Sequence, residues 1–179
     1  MRKPQTTRFG MLLGLLLIGP AALHAQAGFQ VVSGKAFESA VPKDFYLEGN
    51  AIPVEKRNTV LLNTPSGARV LVGLIDTTGY SSQIQQKYIG MVIAEAPITA
   101  CSIDLPVGSF GFGLEKPAPE GQGSANFLVY DQAGKQVGNC SAEADKGLKQ
   151  PRPLQVTKGS DATTKLCLGR FCIALHSKE

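Results

Sequence analysis

The sequence of 179 residues has no tryptophan and only two histidines, His24 and His176. His24 lies in an N-terminal segment that we expect to be removed, so a metal site with two or more histidine ligands is excluded. The G-x-S-x-G and S-x-x-K nucleophile motifs and the Walker phosphate loop are also missing. The sequence therefore predicts no metal, no cofactor and no recognisable catalytic motif.

Long hydrophobic runs are missing too. The apolar run Met11–Ile18 is far shorter than the roughly 20 residues of a membrane-spanning helix. It follows a basic segment without acidic residues and precedes a Gly-Pro pair and the small-residue stretch AALHAQA. This order is typical of a secretory signal peptide, predicted over residues 1–25 with cleavage after Ala25 or Ala27. Residues 28–179 would then form one domain, located in the periplasm or outside a bacterial cell.

The chain also lacks a large excess of either positive or negative charge once the signal peptide is removed. The formal charge of +4 then falls to +1, because 15 basic and 14 acidic residues are left. A nucleic-acid partner is not expected, since such a protein would concentrate basic charge on its surface. The charge is uneven, however: residues 28–134 carry −3 and residues 135–179 carry +4. The basic C-terminal part is either a solvated rim of the last hairpin or a site for an anionic partner.

Short apolar runs between turn signals make up the rest of the chain, as in an all-β fold. The predicted strands are FQVV from Phe29, TVLLN from Thr59, ARVLVGLI from Ala68, YIGMVI from Tyr88, ITACSIDL from Ile98, FGFGL from Phe110, NFLVY from Asn126, KQVGNC from Lys135, KLCL from Lys165 and FCIAL from Phe171. Weaker strands are predicted at Phe45–Leu47 and Leu154–Val156. We expect an antiparallel β-sandwich of about nine strands, similar in architecture to immunoglobulin-like or transthyretin-like domains.

Three turns have residues suited to hairpins. Thr64–Gly67 has proline and glycine at the positions that a type I turn favours, and Asp131–Lys135 combines an aspartate with a glycine. The pair Gly169-Arg170 fits a two-residue loop with glycine at its first position.

Four cysteines, expected in an oxidising compartment, predict two disulfides. With Gly169-Arg170 as the loop, Cys167 lies opposite Cys172 at a separation that a disulfide can bridge. By elimination, Cys101 pairs with Cys140.

Two strands share an alternating apolar pattern that predicts one buried face. Its residues are Phe110, Phe112 and Leu114 in one strand and Phe171, Ile173 and Leu175 in the other. In the first strand, Gly111 and Gly113 alternate with these apolar residues. They indicate either a close packing contact or room for a ligand.

The polar stretch from Gly79 to Lys87 predicts a loop or a single helical turn. Polar loops at the end of a sandwich are common binding surfaces. Candidate contact residues are Tyr80, Ser81, Ser82, Gln83, Gln85 and Tyr88. The expected partner is an envelope protein or a glycan.

The segments DFYLEGNAIPVEKRN, LIDTTGYSSQIQQKYIGM, DLPVGSFGFGL and FLVYDQAGKQVG cover much of the predicted domain. In these segments the chain resembles a family of uncharacterised secreted bacterial proteins. The resemblance implies a bacterial exported protein and carries no assigned activity, cofactor or catalytic residue.

Three functions therefore stand as hypotheses. The first is a non-catalytic interaction or structural module of the bacterial envelope or exterior. The second is a sandwich or barrel that holds a small apolar ligand, which a cavity above roughly 300 Å³ would favour. The third is a hydrolase that uses His176, which would need a serine or carboxylate within hydrogen-bonding distance of the ring.

Overall fold

The structure is a computed structural model that describes residues 28–117, 123–159 and 163–178. The predicted signal peptide lies outside these residues. The strands are β1 (Gln30–Val32), β2 (Asp44–Leu47), β3 (Asn50–Asn63), β4 (Arg69–Ile75), β5 (Gly90–Ala94), β6 (Ile98–Ala100), β7 (Ile103–Leu105), β8 (Gly108–Glu115), β9 (Ala125–Tyr130), β10 (Gln136–Ala144), β11 (Gln155–Lys158), β12 (Thr164–Leu168) and β13 (Phe171–Ser177). Two short helices join them, α1 (Lys35–Ala40) and α2 (Ser82–Lys87).

The strands form one antiparallel sheet that curls back on itself. The hydrogen-bonded order is β1-β3-β4-β5-β8-β9-β10-β13-β12-β11, with β2 added to β3, β6 to β13 and β7 to β6. Strand β11 returns to lie beside β3, but no strand ladder joins the two in the described part of the chain. Register shifts in β3, between Val54 and Thr59, and in β10, between Gln136 and Gly138, favour this curvature because bulged strands bend.

The antiparallel all-β fold is confirmed, and the number of strands is larger than expected. The described residues form thirteen strands rather than nine. The segment ITACSIDL was predicted to form a single strand, and this prediction is wrong. The chain turns back after β6 at Cys101, whose φ is 53°. The resulting β6 and β7 pair with each other. Strand β3 begins at Asn50, nine residues before its predicted start. The sequence pattern did not indicate a strand there because this segment contains a proline and several charged residues.

All three predicted hairpins are confirmed. Thr64–Gly67 joins β3 to β4, and the amide of Gly67 donates a hydrogen bond to the Thr64 carbonyl at 3.0 Å. Asp131–Lys135 joins β9 to β10, with the Asp131 Oδ1 accepting from the Lys135 amide at 2.9 Å. Gly169 adopts a φ of 62° in the two-residue loop between β12 and β13.

The hairpin register places the cysteines as predicted. Cys167 lies opposite Cys172, and the two are bonded with a Cα–Cα distance of 4.0 Å. Cys101, between β6 and β7, is bonded to Cys140 of β10 across a Cα–Cα distance of 6.3 Å. The second disulfide therefore links two parts of the chain that are 39 residues apart.

The curled sheet has an inner and an outer apolar cluster. The inner cluster contains residues from most of the strands. Those from β8 and β13 are Phe110, Phe112, Phe171, Ile173 and Leu175. This confirms the predicted buried face, to which Leu114 contributes as a partly buried residue. The outer cluster lies between the β3-β4-β5-β8-β9 part of the sheet and a cover formed by β2, α1 and α2.

The two unusual glycines of β8 serve this outer packing. A Cβ at Gly111 would lie 2.8 Å from the ring of Tyr88, and a Cβ at Gly113 would lie 2.3 Å from the carbonyl oxygen of Lys87. Of the two explanations for these glycines, the structure therefore supports close packing against the end of α2. They do not make room for a ligand, as the apolar-ligand hypothesis had supposed.

Candidate functional site

The predicted contact segment folds as a helical turn held firmly on the sheet. Ser81 caps α2 by accepting a hydrogen bond from the Ile84 amide at 3.3 Å. The Tyr80 hydroxyl donates to the carbonyl of Ala51, and Gln85 Nε2 donates to the carbonyl of Tyr80 at 2.8 Å. Among these candidates, Ser82 and Gln83 are exposed and make no side-chain hydrogen bond to another described residue.

The assignment of Tyr88 to a contact surface is wrong. Tyr88 is only 1% exposed, and its ring packs edge-on against Tyr130 with centroids 5.3 Å apart. It is buried because the α2 backbone extends directly into β5 and passes over the side-chain-free backbone of Gly111. The same tyrosine begins the apolar run YIGMVI, a sequence signal that already favoured burial.

Around Tyr88 lies a half-buried polar cluster that sequence analysis did not detect. Glu48 Oε1 accepts hydrogen bonds from Lys87 Nζ and from the Tyr88 hydroxyl, each at 2.6 Å. Lys87 Nζ also donates to the Gly134 carbonyl at 2.5 Å and lies 4.9 Å from the centre of the Tyr130 ring. The cluster thus joins the β2–β3 turn, the end of α2 and the β9–β10 turn.

The electrostatics of this cluster favour its charged, hydrogen-bonded form. The hydrogen bond from Lys87, followed by that from Tyr88, lowers the pKa of Glu48 below its ordinary value of 4.5. Burial, and then the hydrogen bond to Glu48, raises the pKa of the Tyr88 hydroxyl. Tyr88 is therefore a hydrogen-bond donor at neutral pH and not a base. The cluster therefore fastens these segments together through a charged carboxylate.

We expect Glu48→Gln to lower the free energy of unfolding by about 1.5 kcal/mol at pH 7, because hydrogen bonds to a charged group are replaced by weaker ones. The folded-state pKa of Glu48 is depressed, so its contribution is complete above the unfolded-state pKa and is lost as pH falls through the folded-state pKa. Urea unfolding at pH 7 and at pH 3 measures both effects, and the difference between variant and wild type should shrink at pH 3.

The matched control is Glu38→Gln, which removes a carboxylate paired with Lys56 on the surface. Both side chains are largely exposed, at 61% for Glu38 and 47% for Lys56, so the unfolding free energy should hardly change. Equal effects of the two variants at pH 7 would contradict a stabilising role for the Glu48 cluster.

A different feature, an apolar cavity of about 560 Å³, lies at one end of the curled sheet. Its walls come from the ends of six strands or their adjoining residues: Leu74, Ile89, Leu114, Ala144, Leu168 and Phe171. Leu168 and Phe171 belong to the inner cluster, and the other four are partly buried against it. We name this feature the end cavity. Its floor is therefore one end of the inner core.

Few polar groups line the end cavity. Lys116, which follows β8, and Arg170, in the β12–β13 loop, are its charged lining residues, and both side chains are exposed. Pro153 and Gly169 complete the lining. A concave apolar surface with a few polar groups is the usual form of a small-molecule site.

The hydrolase hypothesis finds no support in the surroundings of His176. The residue is exposed on β13 opposite Thr99, pointing away from the inner cluster as its alternation with Leu175 predicts. Its ring makes no hydrogen bond with any residue that the structure describes.

In residues 28–117, 123–159 and 163–178, no group of three or more His, Cys, Asp or Glu side chains could hold a metal ion. Over the same ranges, no helix combines the length and the apolar character needed to cross a membrane.

No protein-family model, curated protein or solved structure matches this chain.

Proposed function

We propose that this protein is an exported, non-catalytic binding module that holds a small apolar ligand in the end cavity. The observation that carries the proposal is the cavity itself. Its volume of about 560 Å³ lies within the roughly 300–1,000 Å³ range of small-molecule sites, and its walls are mostly aliphatic. Six strands contribute to those walls, so the site is held by the sheet and not by a single loop.

The location is part of the same proposal. Two disulfides are expected to form where the environment is oxidising, which supports the periplasm or the cell exterior over the cytoplasm. We further infer that the two halves of the curled sheet act as the facing layers of a sandwich. In support, the inner cluster joins Val72 and Phe112 of one half to Leu166 and Ile173 of the other.

We expect Leu74→Trp to weaken binding of a neutral apolar probe at least tenfold, because the indole would occupy the end cavity. Fluorescence titration with N-phenyl-1-naphthylamine measures this directly. The wild-type chain should give saturable emission at one probe per protein. Since the natural chain has no tryptophan, the new indole also reports its own environment, and its emission should be that of a buried side chain.

The matched control is Val107→Trp. Val107 is 60% exposed and is not part of the end cavity, so the same substitution there should leave probe binding unchanged. Thermal unfolding of both variants verifies that each is folded. The proposal fails if the wild type does not bind the neutral probe, or if Leu74→Trp binds it as tightly as the wild type.

A second candidate role is contact with an envelope protein or a glycan through α2. It is favoured by the exposed Ser82 and Gln83 on a helix whose ends are fixed by Ser81 and Tyr88. A preorganised polar surface loses little conformational entropy when it binds. This surface is separate from the residues that line the end cavity.

A further inference from the structure

The charge at the rim of the end cavity suggests what kind of ligand it takes. Its charged lining residues, Lys116 and Arg170, are both cations, and no acidic side chain among the described residues lines the cavity. Neither cation has an ion pair or a side-chain hydrogen bond with a described residue. In the same part of the chain only five of the fifteen cations have a carboxylate partner, so the location of these two at one apolar cavity matters more than their lack of a partner.

The acidic residues nearest to these two cations along the chain or across a ladder have other partners. Glu115 directly precedes Lys116, but its Oε2 accepts a hydrogen bond from Asn126 Nδ2 at 3.1 Å. The Asp145 amide donates to the Arg170 carbonyl at 2.9 Å, yet its carboxylate faces elsewhere. It accepts from the Gly147 amide at 2.8 Å and pairs with Lys165 at 3.6 Å. Neither acid therefore forms an ion pair with Lys116 or Arg170 in the described part of the chain.

The wider charge distribution agrees with this local pattern at Arg170, because residues 135–179 carry a formal charge of +4. Lys116 lies in residues 28–134, which carry −3. A solvated rim would explain a basic segment on its own. It does not explain why two cations without an ion-pair partner among the described residues lie at the edge of the same apolar cavity.

We propose that the ligand of the end cavity is a fatty carboxylate, with its aliphatic chain against the cavity floor and its carboxylate between Lys116 and Arg170. This inference rests on the proposed function. The planar guanidinium of Arg170 can donate two parallel hydrogen bonds to a carboxylate, and the ammonium of Lys116 adds a second positive charge. The apolar walls exclude a ligand that is charged throughout, because its buried charges would lose hydration without partners.

The test compares three ligands that share a ten-carbon chain and differ in the head group. Decanoate, decan-1-ol and decyltrimethylammonium are titrated below their micellar concentrations by calorimetry at low and moderate salt. We expect decanoate to bind about five- to tenfold more tightly than decan-1-ol, and the cationic ligand to bind most weakly. Added salt should reduce the advantage of decanoate because the rim charges are exposed.

The double variant Lys116→Gln/Arg170→Gln tests the role of the two cations. Both side chains are exposed and lack partners in the described residues, so the variant should fold normally. The ratio of decanoate to decan-1-ol affinity should fall to about one. The control Lys35→Gln/Lys43→Gln removes the same charge from two exposed residues outside the end cavity and should keep the wild-type ratio.

The outcomes separate this inference from the proposed function. If decan-1-ol and decanoate bind the wild type equally, the end cavity binds apolar ligands but the carboxylate inference is overturned. It is also overturned if the decanoate preference survives in the Lys116/Arg170 double variant. If the neutral fluorescent probe does not bind the wild type, the proposed function itself is overturned, whatever the result with decan-1-ol.

Discussion

Phe112→Ala is expected to lower the free energy of unfolding by about 3–5 kcal/mol. Phe112 is completely buried in the inner cluster, where its ring lies 5.4 Å from that of Phe127. The ring also covers the backbone of Gly90, where a Cβ would lie only 2.2 Å from its tip. Because Gly90 has no side chain that could move into the space, the cavity left by alanine should stay open and the cost should be near the top of the range.

Urea unfolding at pH 7 measures this change, with Val107→Ala as the control. Val107 is 60% exposed, so its truncation should change the unfolding free energy by less than about 0.5 kcal/mol. A Phe112→Ala variant as stable as the control would mean that the apolar alternation in β8 does not point into a packed core. The inner cluster, and with it the floor of the end cavity, would then need a different description.

The features that sequence analysis predicted correctly depend on neighbouring residues. Gly67, Gly134 and Gly169 occur at turn positions with positive φ, so three hairpins could be located from short segments. The Cys167–Cys172 pairing followed from the hairpin register alone, and the second disulfide followed by elimination. The alternation of large apolar residues likewise identified the inner face, because five consecutive residues in each of β8 and β13 are enough to show it.

The features that sequence analysis missed depend on residues far apart in the chain. Glu48 and Lys87 are separated by 39 residues and meet only because the β2–β3 turn packs over the end of α2. A local hint existed, since the turn glycine Gly49 follows Glu48, whose own φ is 49°. That hint concerns the turn and says nothing about the partner. Charge alone could not have selected Lys87 from the other cations.

The end cavity shows the same limit more strongly. Leu74, Leu114 and Phe171 were each predicted as strand residues, and each reads as an ordinary apolar position. The cavity appears only when the sheet curls and the ends of several strands meet around a gap. Curvature of this kind follows from bulges and from β11 returning to β3, neither of which the apolar pattern encodes.

The two disulfides should stabilise the fold unequally. In the chain-entropy description, the cross-link between Cys101 and Cys140, 39 residues apart, contributes about 4 kcal/mol. The cross-link between Cys167 and Cys172, only five residues apart, contributes about 2 kcal/mol, because a short loop loses little freedom when it is closed. The long link also ties the β6–β7 turn to β10, two parts of the sheet with no ladder between them.

Comparing cysteine variants directly would mix this effect with packing, since Cys167 is fully buried and Cys101 is half-buried. Two proteins with one disulfide each avoid the problem. Cys167→Ala/Cys172→Ala keeps only the long link, and Cys101→Ala/Cys140→Ala keeps only the short one. For each protein, urea unfolding with and without a reductant compares identical residues that differ only in the cross-link.

Reduction should therefore cost about 4 kcal/mol in the protein with the long link and about 2 kcal/mol in the protein with the short link. Equal costs, or a larger cost for the Cys167–Cys172 link, would contradict the entropic account. In that case the stabilisation would come from native contacts around the hairpin next to the end cavity. Probe binding by the Cys101→Ala/Cys140→Ala protein before and after reduction would then locate the effect, because loss of the Cys167–Cys172 link would loosen Leu168 and Phe171 in the cavity wall.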